Sequence, residues 1–229
     1  MAIRGVSFDF HGTLALPYPS PGSIYAEVAA EHGYQIHAEC LNQHFASAFQ
    51  AIRHDRQPAY GADESDARDF WFAVIQRCFA QCLGPEQPAV TEVLCMALFT
   101  AFGQAQRWRL LPQAAACIQW CHQHHLPVVI CSNFDARLHG LVRGLGLQPV
   151  HDVLPSSLTG LPKPDPELLL LASSLLVIEP EELLHVGDSH AEDGGAAQAA
   201  GCPWLAVSRS QGVVLTDLQQ RIAELNAAS

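Results

Sequence analysis

The sequence has few charged residues and almost no lysine. Charged side chains make up 15% of the 229 residues, and the net charge is −11 at pH 7. Lys163 is the only lysine, so 11 of the 12 basic residues other than histidine are arginines. An acidic surface gives no electrostatic support for binding nucleic acid or an anionic membrane, and we expect neither as a partner. An anionic substrate would need a local positive site.

Long apolar runs are also missing. The longest stretches, such as Leu168 to Leu171, fall far short of the length that crosses a membrane. The first residues run directly into a strand-like segment, without a basic region followed by an apolar run and a cleavage site. We therefore expect a cytoplasmic protein without a membrane partner.

The eight cysteines lack the spacing of a zinc site. Cys78 and Cys82, like Cys117 and Cys121, are four residues apart within helical patterns, where buried thiols commonly lie. A C-x₂-C pair would indicate zinc, but neither pair has this spacing. We predict buried thiols at these four positions.

Apolar periodicity divides the chain into three parts. Residues 3–8 predict a buried strand that ends at Asp9. Residues 23–102 have helical periodicity throughout, with helices predicted at 23–32, 38–54, 66–82 and 87–102 and a break at Gly84-Pro85. After residue 111, helices alternate with short apolar strands. The predicted strands are 127–131, 150–154, 183–186 and 204–207, and the predicted helices are 112–125, 135–144, 165–175, 190–200 and 215–226.

This alternation is typical of an α/β fold with a doubly wound parallel sheet. We predict a Rossmann-like core formed by residues 1–15 and 111–229, and an all-helical cap domain formed by residues 16–110. The sequence makes no prediction about oligomeric state.

Polar clusters follow the predicted strands or begin the helices after them. They are Asp9-Phe10-His11-Gly12-Thr13, Ser132-Asn133, Lys163-Pro164, and Gly187-Asp188-Ser189 with Glu192-Asp193. An open parallel sheet binds its ligand beyond the carboxyl ends of its strands, so these clusters should meet in one crevice.

The predicted crevice combines carboxylates with groups that bind phosphate. Asp9, Asp188 and Asp193 would repel one another and an anionic substrate unless a divalent cation lay between them. Mg²⁺ suits one or two carboxylates together with phosphate oxygens. Thr13 and Lys163 offer a hydroxyl and an ammonium to such oxygens. A compact ammonium also fits better than a guanidinium between a carboxylate and a phosphate.

Taken in order, the motifs resemble one known superfamily. D-x-x-G-T-L, S-N, K-P-D-P and G-D-S-x-x-E-D-x-G-A-x-x-x-A-G resemble the haloacid dehalogenase (HAD) superfamily. They look most like its phosphatase-type members, which carry a helical cap after the first motif. The overall pattern is similar to the HDHD3-like group. The resemblance covers the whole core, while the cap matches only in position and helical character.

The resemblance implies roles for residues around the phosphate. Asp9 would attack phosphorus in a small phosphorylated metabolite and form an aspartyl-phosphate. Thr13, Ser132 and Asn133 would bind the transferring group. Lys163 would neutralise charge between Asp9 and the phosphoryl oxygens.

The resemblance also implies a metal site. Mg²⁺ would be bound by Asp9, Asp188 and the backbone carbonyl of His11. Asp193 or its neighbour Glu192 would support the metal or orient the lysine.

His11 departs from the pattern of phosphatases in this superfamily. They usually carry a second aspartate at this position, which protonates the leaving group and then activates water. A histidine can move protons near neutral pH, so His11 could replace this aspartate as general acid and base. Alternatively, His11 only fills the pocket, either of a slow hydrolase or of a protein with another chemistry.

Three other functions can be weighed against phosphatase activity. Metal-independent 2-haloacid dehalogenases also lack the second aspartate, but they do not need Asp188. Phosphonoacetaldehyde hydrolases need a cap lysine, and residues 16–110 contain none. A catalytically weak binding protein would not need Asp9, Lys163 and Asp188 together. The dehalogenase and the binding protein stay open as alternatives.

A basic run in the cap has two interpretations. Arg53, His54 and Arg56 could point toward the cleft and contact substrate. More often, such a run forms a solvated helix face.

Overall fold

The protein is described by a computed structural model covering residues 2–55, 63–83 and 89–227. Its strands are β1 (Gly5–Phe8), β2 (Ala15–Pro17), β3 (Trp108–Leu110), β4 (Val128–Ser132), β5 (Asp152–Pro155), β6 (Leu183–Gly187) and β7 (Trp204–Ala206). Five of them form a parallel sheet in the order β5-β4-β1-β6-β7. The predicted α/β fold with a parallel sheet is confirmed.

Strand β1 lies at the centre of this sheet and is buried along its length. Val6 and Phe8 face one apolar cluster, whereas Ser7 lies on the opposite face, beside His185 of β6. Central strands of a parallel sheet are covered on both faces, which explains their continuous apolar runs. A polar pair inside such a strand is therefore an exception that needs a reason.

The cap contains four helices within the described residues: α1 (Pro21–Glu31), α2 (Ala38–His54), α3 (Glu64–Ala80) and α4 (Glu92–Ala101). Asp63 and Thr91 cap α3 and α4, each accepting a hydrogen bond from the backbone N–H three residues on. The predicted helix at 66–82 is thus shifted by two residues. The fourth helix begins at Glu92, not at 87. Residues 87 and 88 and the predicted Gly84-Pro85 break lie outside the described residues.

The helices after the cap are α5 (Ala114–Gln123), α6 (Arg137–Gly144), α7 (Ser156–Thr159), α8 (Glu167–Leu176), α9 (Gly195–Ala200) and α10 (Leu215–Ala227). The helix predicted at 190–200 is divided into a π-helical turn, His190–Gly194, and α9. The turn brings Asp193 back toward the end of β6. The short helix α7 was not predicted.

Strands β2 and β3 form an antiparallel ribbon that was not predicted. Ala15 pairs with Leu110, and Pro17 pairs with Trp108. Three-residue strands are too short to show the alternation by which strands are recognised. The ribbon lies at both predicted boundaries between core and cap; the boundaries themselves stay a prediction.

The cap has its own apolar cluster, and polar contacts join it to the core. Glu64 Oε1 at the start of α3 accepts hydrogen bonds from the backbone N–H of Ala136, at 2.9 Å, and from Ser157 Oγ. The guanidinium of Arg137 lies over the ring of Phe99, 3.4 Å from its centroid, and donates to the Phe99 carbonyl. These contacts close the cap over one edge of the core.

One cysteine prediction is wrong. Cys78, Cys117 and Cys121 are buried free thiols as predicted, but Cys82 forms a disulfide with Cys40. The two residues are separated by 42 positions, so local spacing could not reveal the pair.

No helix in the described ranges is both long enough and apolar enough to cross a membrane.

Candidate active site

Side chains from three neighbouring strands meet at the carboxyl edge of the sheet. Asp9 follows β1, Ser132 ends β4, and Asp188 follows β6. Lys163 arrives from the loop before α8. Oδ1 of Asp9 accepts hydrogen bonds from Ser132 Oγ at 2.9 Å and from Lys163 Nζ at 3.0 Å. The predicted convergence of these residues is present in the structure.

Lys163 lies buried between two carboxylates. Its ammonium contacts Oδ1 of Asp9 and Oδ1 of Asp193, and it donates to the carbonyl of Cys131 at 2.9 Å. Burial alone would lower the pKa of Lys163, but the charges of Asp193 and Asp9 outweigh it and raise this pKa above its usual value. Lys163 is therefore a fixed positive charge beside Asp9.

Asn133 holds the backbone of Lys163. Its Nδ2 donates to the Lys163 carbonyl and its Oδ1 accepts from the Lys163 N–H, both at 2.8 Å. The sequence predicted Asn133 as a phosphate ligand, and that role stays a prediction. The contact in the structure instead fixes the peptide from which the ammonium extends.

Asp193 connects Lys163 to a buried histidine that the sequence analysis missed. His185 Nε2 lies 3.1 Å from Oδ1 of Asp193, and its Nδ1 lies 2.8 Å from Oγ of Ser7. Burial lowers the pKa of His185, so the ring is neutral. An ionised Asp193 can accept hydrogen bonds but cannot donate them. The ring proton of His185 is therefore on Nε2, and the Ser7 hydroxyl is the donor to Nδ1. A histidine within the apolar run LLHVG was the available signal.

Asp193 is fully occupied by these contacts. Its Oδ2 accepts from the Ser189 N–H at 2.9 Å, and its Oδ1 is shared by Lys163 and His185. Burial would raise the pKa of Asp193, but Lys163 and His185 together hold it well below its usual range. Of the two predicted roles for Asp193, the contacts match orientation of Lys163.

We expect His185→Leu to lower kcat roughly 10- to 100-fold while KM changes little, because Asp193 loses a donor and Lys163 loses its fixed position. The variant should also lose about 1–3 kcal/mol of stability, since Ser7 is left without an acceptor in the core. Steady-state kinetics and chemical denaturation measure the two effects.

The double variant Ser7→Ala with His185→Leu separates positioning from packing. It removes the unpaired hydroxyl, so stability should recover in part while kcat stays low. Recovery of both together would show that His185 acts only through packing.

Asp188 lies beside Asp9 and is paired with an arginine that was not predicted. Arg209 Nε lies 3.0 Å from Oδ2 of Asp188. Burial, followed by the charge of Asp9, raises the pKa of Asp188 to about 6. Arg209 comes from the loop after β7, whose sequence SRSQG indicates only a turn.

The same arginine contacts His11. Arg209 Nη2 lies 3.1 Å from His11 Nδ1, and the ring packs edge-on against Trp108, with centroids 6.0 Å apart. Arginine can only donate, so Nδ1 is the acceptor and the neutral ring carries its proton on Nε2. Burial and then the charge of Arg209 lower the pKa of His11 to about 3. The neutral ring cannot serve as a general acid, and it can serve as a base only when Nδ1 leaves Arg209.

Gly12 permits the close approach of these groups. Its φ of +92° lies in the left-handed region, and an added Cβ would lie 2.7 Å from Oδ2 of Asp188 and 2.9 Å from Nε of Arg209. Glycine is the residue type that meets both requirements.

The donor set fits a hard divalent cation. One carboxylate oxygen from each of Asp9, Asp188 and Asp193 lies within 4.8 Å of the others. Both oxygens of Asp193 accept from Lys163, His185 or Ser189, whereas the contacts of Asp9 and Asp188 described above involve one oxygen each. Asp9 and Asp188 are therefore the carboxylates better placed to bind a metal. All-oxygen ligands of this kind match Mg²⁺. The neighbouring Thr13 is completely buried, and its hydroxyl has no partner among the described residues.

Glu192 points to the cap. It forms an ion pair with Arg53 near the end of α2, so one residue of the predicted basic run does reach the core at the site's edge. His54 is exposed, and Arg56 lies outside the described residues. The cap therefore contacts the same motif that supplies Asp188 and Asp193.

Comparison with known proteins identifies relatives along most of the chain. A family model described as haloacid dehalogenase-like hydrolase matches residues 3–201. The chain is 32% identical over 203 residues to haloacid dehalogenase-like hydrolase domain-containing protein 3 of Bos taurus, covering 88% of this chain and 80% of that protein. The resemblance predicted from the ordered motifs is confirmed.

Solved structures share the fold at low sequence identity. The L-2-haloacid dehalogenase of Xanthobacter autotrophicus has a TM-score of 0.67 and 22% identity, covering 97% of this chain and 83% of that chain. A predicted phosphoglycolate phosphatase from Haemophilus somnus 129pt has a TM-score of 0.60 and 18% identity, covering 93% and 88%. Proteins named for two different reactions share the architecture, so this likeness establishes the fold.

Proposed function

We propose, because the chain belongs to the haloacid dehalogenase-like hydrolases, that it is a Mg²⁺-dependent phosphatase acting on a small phosphorylated metabolite. The observation that carries the proposal is the buried Lys163 between Asp9 and Asp193, with Asp188 beside them. One fixed positive charge beside carboxylates that can hold a cation is suited to a doubly negative phosphoryl group. A cytoplasmic location belongs to the same proposal; the six free thiols are typical of a reducing compartment, and the Cys40–Cys82 disulfide would be reduced there.

Asp9 would act as the nucleophile. Ser132 and Lys163 both donate to Oδ1 of its side chain, which orients the carboxylate and leaves Oδ2 to attack. The bond from Oδ2 to phosphorus forms as the bond from phosphorus to the leaving oxygen breaks, and the leaving oxygen takes up a proton from water. Water then attacks phosphorus, which releases phosphate and restores the carboxylate.

Neighbouring residues would hold the phosphoryl group in place. Lys163 would offset the charge that develops on its oxygens, and the unpaired hydroxyl of Thr13 is available to one of them. Ser132 would keep Asp9 aligned. Mg²⁺, held by Asp9, Asp188 and the His11 carbonyl, would supply further positive charge.

We expect phosphate release from p-nitrophenyl phosphate to require Mg²⁺ and to stop when the metal is chelated. Mg²⁺ competes with a proton on Asp188, whose pKa of about 6 lies near the assay range. The apparent dissociation constant should therefore rise roughly tenfold per pH unit below about 6, one proton being released per ion bound. Calorimetric titration at pH 5, 6 and 7 measures this.

In the metal-free protein, the contribution of Asp188 to the free energy of unfolding should fall as pH rises, whereas Mg²⁺ affinity rises with pH. A carboxyl whose pKa is raised by folding contributes stability at pH values below its pKa in the unfolded chain, and this contribution is lost as pH rises through about 6.

Chloride release from 2-chloropropionate without metal, in place of phosphate release, would identify the dehalogenase alternative. Absence of both activities would identify a binding protein.

The leaving group offers a test of His11. A neutral His11 cannot protonate a poor leaving group, so the enzyme should prefer aryl phosphates over alkyl phosphates. His11→Asp should narrow this preference by about 10²-fold, since general acid catalysis contributes at least that much. The preference is measured as the slope of log kcat/KM against leaving-group pKa for a series of phosphate esters.

His11→Ala provides the comparison for the base role. It should slow release of phosphate from the aspartyl-phosphate. This intermediate then accumulates, and the alcohol or phenol that leaves in the first step appears as a burst. If wild type and His11→Ala give the same slope and no burst, His11 only fills the pocket.

A further inference from the structure

A second cluster of ligating side chains lies in the cap. Cys40 and His44 are one turn apart on α2, and Cys82 lies just beyond α3. The two sulphur atoms and a ring nitrogen of His44 all lie within 4.8 Å of one another. In the described part of the chain, the acidic trio of the active site is the other such cluster.

Exposure distinguishes Cys40 and Cys82 from the other cysteines. Both are partly exposed, as is His44, whereas the six free cysteines are buried. Burial raises the pKa of Cys78 to about 11 and that of Cys117 to about 12, which makes these thiols unreactive. Metal ions and oxidants can therefore reach the cap pair in preference to the rest.

The donors fit a soft transition metal. Two thiolates and an imidazole are the ligands that zinc prefers, whereas Mg²⁺ takes oxygen. Ligands in a tetrahedral zinc site lie roughly 3.3–3.8 Å from one another, given bond lengths of about 2.0–2.3 Å. The Cα atoms of Cys40 and Cys82 are 5.8 Å apart, and the i,i+4 spacing places Cys40 and His44 on one helix face. The cluster is close to this size without backbone movement.

We propose that Cys40, His44 and Cys82 form a Zn²⁺ site in the reduced protein and that the Cys40–Cys82 disulfide is its oxidised form. A fourth position is open to solvent. An organic disulfide accepts two electrons from the two thiolates, which yields the protein disulfide, two small thiolates and free Zn²⁺. Along α2, at 1.5 Å per residue, Cys40 lies roughly 20 Å and His44 roughly 14 Å from Arg53. The site is thus separate from the residues that contact the core.

Cobalt and zinc titrations test the metal site. With Mg²⁺ present to fill the carboxylate site, reduced, chelator-treated wild-type protein should bind one equivalent of Co²⁺ with a thiolate-to-cobalt charge-transfer band, and Zn²⁺ should displace it. Cys82→Ser should weaken binding at least about 100-fold and His44→Ala about tenfold. His32→Ala, which changes an exposed histidine elsewhere in the cap, is the matched control and should bind as wild type does. No band in the wild type, or equal bands in all variants, overturns the proposal.

Alkylation of the wild type gives a readout that does not depend on folding of a variant. In reduced, metal-free protein, iodoacetamide should modify Cys40 and Cys82 first, and Zn²⁺ should protect both in peptide mass spectra. Oxidised glutathione should release one equivalent of Zn²⁺ and produce the linked Cys40–Cys82 peptide. Unchanged alkylation with Zn²⁺ contradicts the metal site, and oxidation without Zn²⁺ release contradicts the exchange.

Discussion

Asp9→Asn is expected to lower kcat/KM for p-nitrophenyl phosphate by at least about 10⁴-fold, as loss of a nucleophile does in other covalent hydrolases. The amide keeps the shape of the side chain and can still accept from Ser132, but it cannot form the acyl-phosphate. Phosphate release with purified variant and wild type, at saturating Mg²⁺, measures the loss.

The stability of Asp9→Asn, unlike its activity, should not fall. Burial, and then the charge of Asp193, raise the pKa of Asp9 even though Lys163 opposes them, so its ionised form disfavours the metal-free fold near pH 7. Asp9→Asn should therefore melt at the same temperature as wild type or higher when no metal is present. Asp217→Asn, an exposed matched change on α10, should alter neither activity nor melting. An inactive variant with a clearly lower melting temperature would point to misfolding in place of a lost nucleophile.

Lys163→Met should remove both activity and stability. Activity is expected to fall at least about 10³-fold, because Lys163 is the cation fixed beside Asp9, where the phosphoryl oxygens become charged during transfer. Asp9 and Asp193 would remain buried without their shared cation, and loss of one partner of a buried ion pair costs about 3–5 kcal/mol. Phosphatase assays and denaturation curves measure the two losses.

Lys163→Arg separates charge from geometry. The ammonium reaches Asp9, Asp193 and the Cys131 carbonyl from one point, and a planar guanidinium cannot do so in the same space. We expect activity at least about 10²-fold below wild type even though the charge is kept. Full activity of Lys163→Arg would show that charge alone suffices, and full activity of Lys163→Met would contradict the proposed role.

The sequence predicted the parts of the site that lie next to a strand end. Asp9, Ser132 and Asp188 each follow a buried apolar run, and the carboxyl ends of parallel strands share one edge. Their positions could therefore be inferred without a structure. The helices of the cap were predictable for a similar reason, because their apolar periodicity is long.

Other residues depend on tertiary contacts that leave no local trace. Arg209 belongs to a turn, and only the return of the chain after β7 brings it to Asp188. Cys40 and Cys82 meet because α2 packs against α3. His185 is a partial exception, since a single polar residue in a buried strand indicates a specific partner. Its link to Asp193 follows from the π-helical turn, which the simple helical pattern did not predict.

Because lysine is so scarce, chemical labelling of amines can measure how often the core of this protein opens. Apart from the α-amino group of the chain, the one primary amine is Lys163, and its side chain is only 1% exposed. Amine-directed reagents can modify it only in molecules that have opened the core transiently. The labelling rate of Lys163 in the native protein therefore measures how often the active site opens transiently. A bound phosphate analogue should lower this labelling rate.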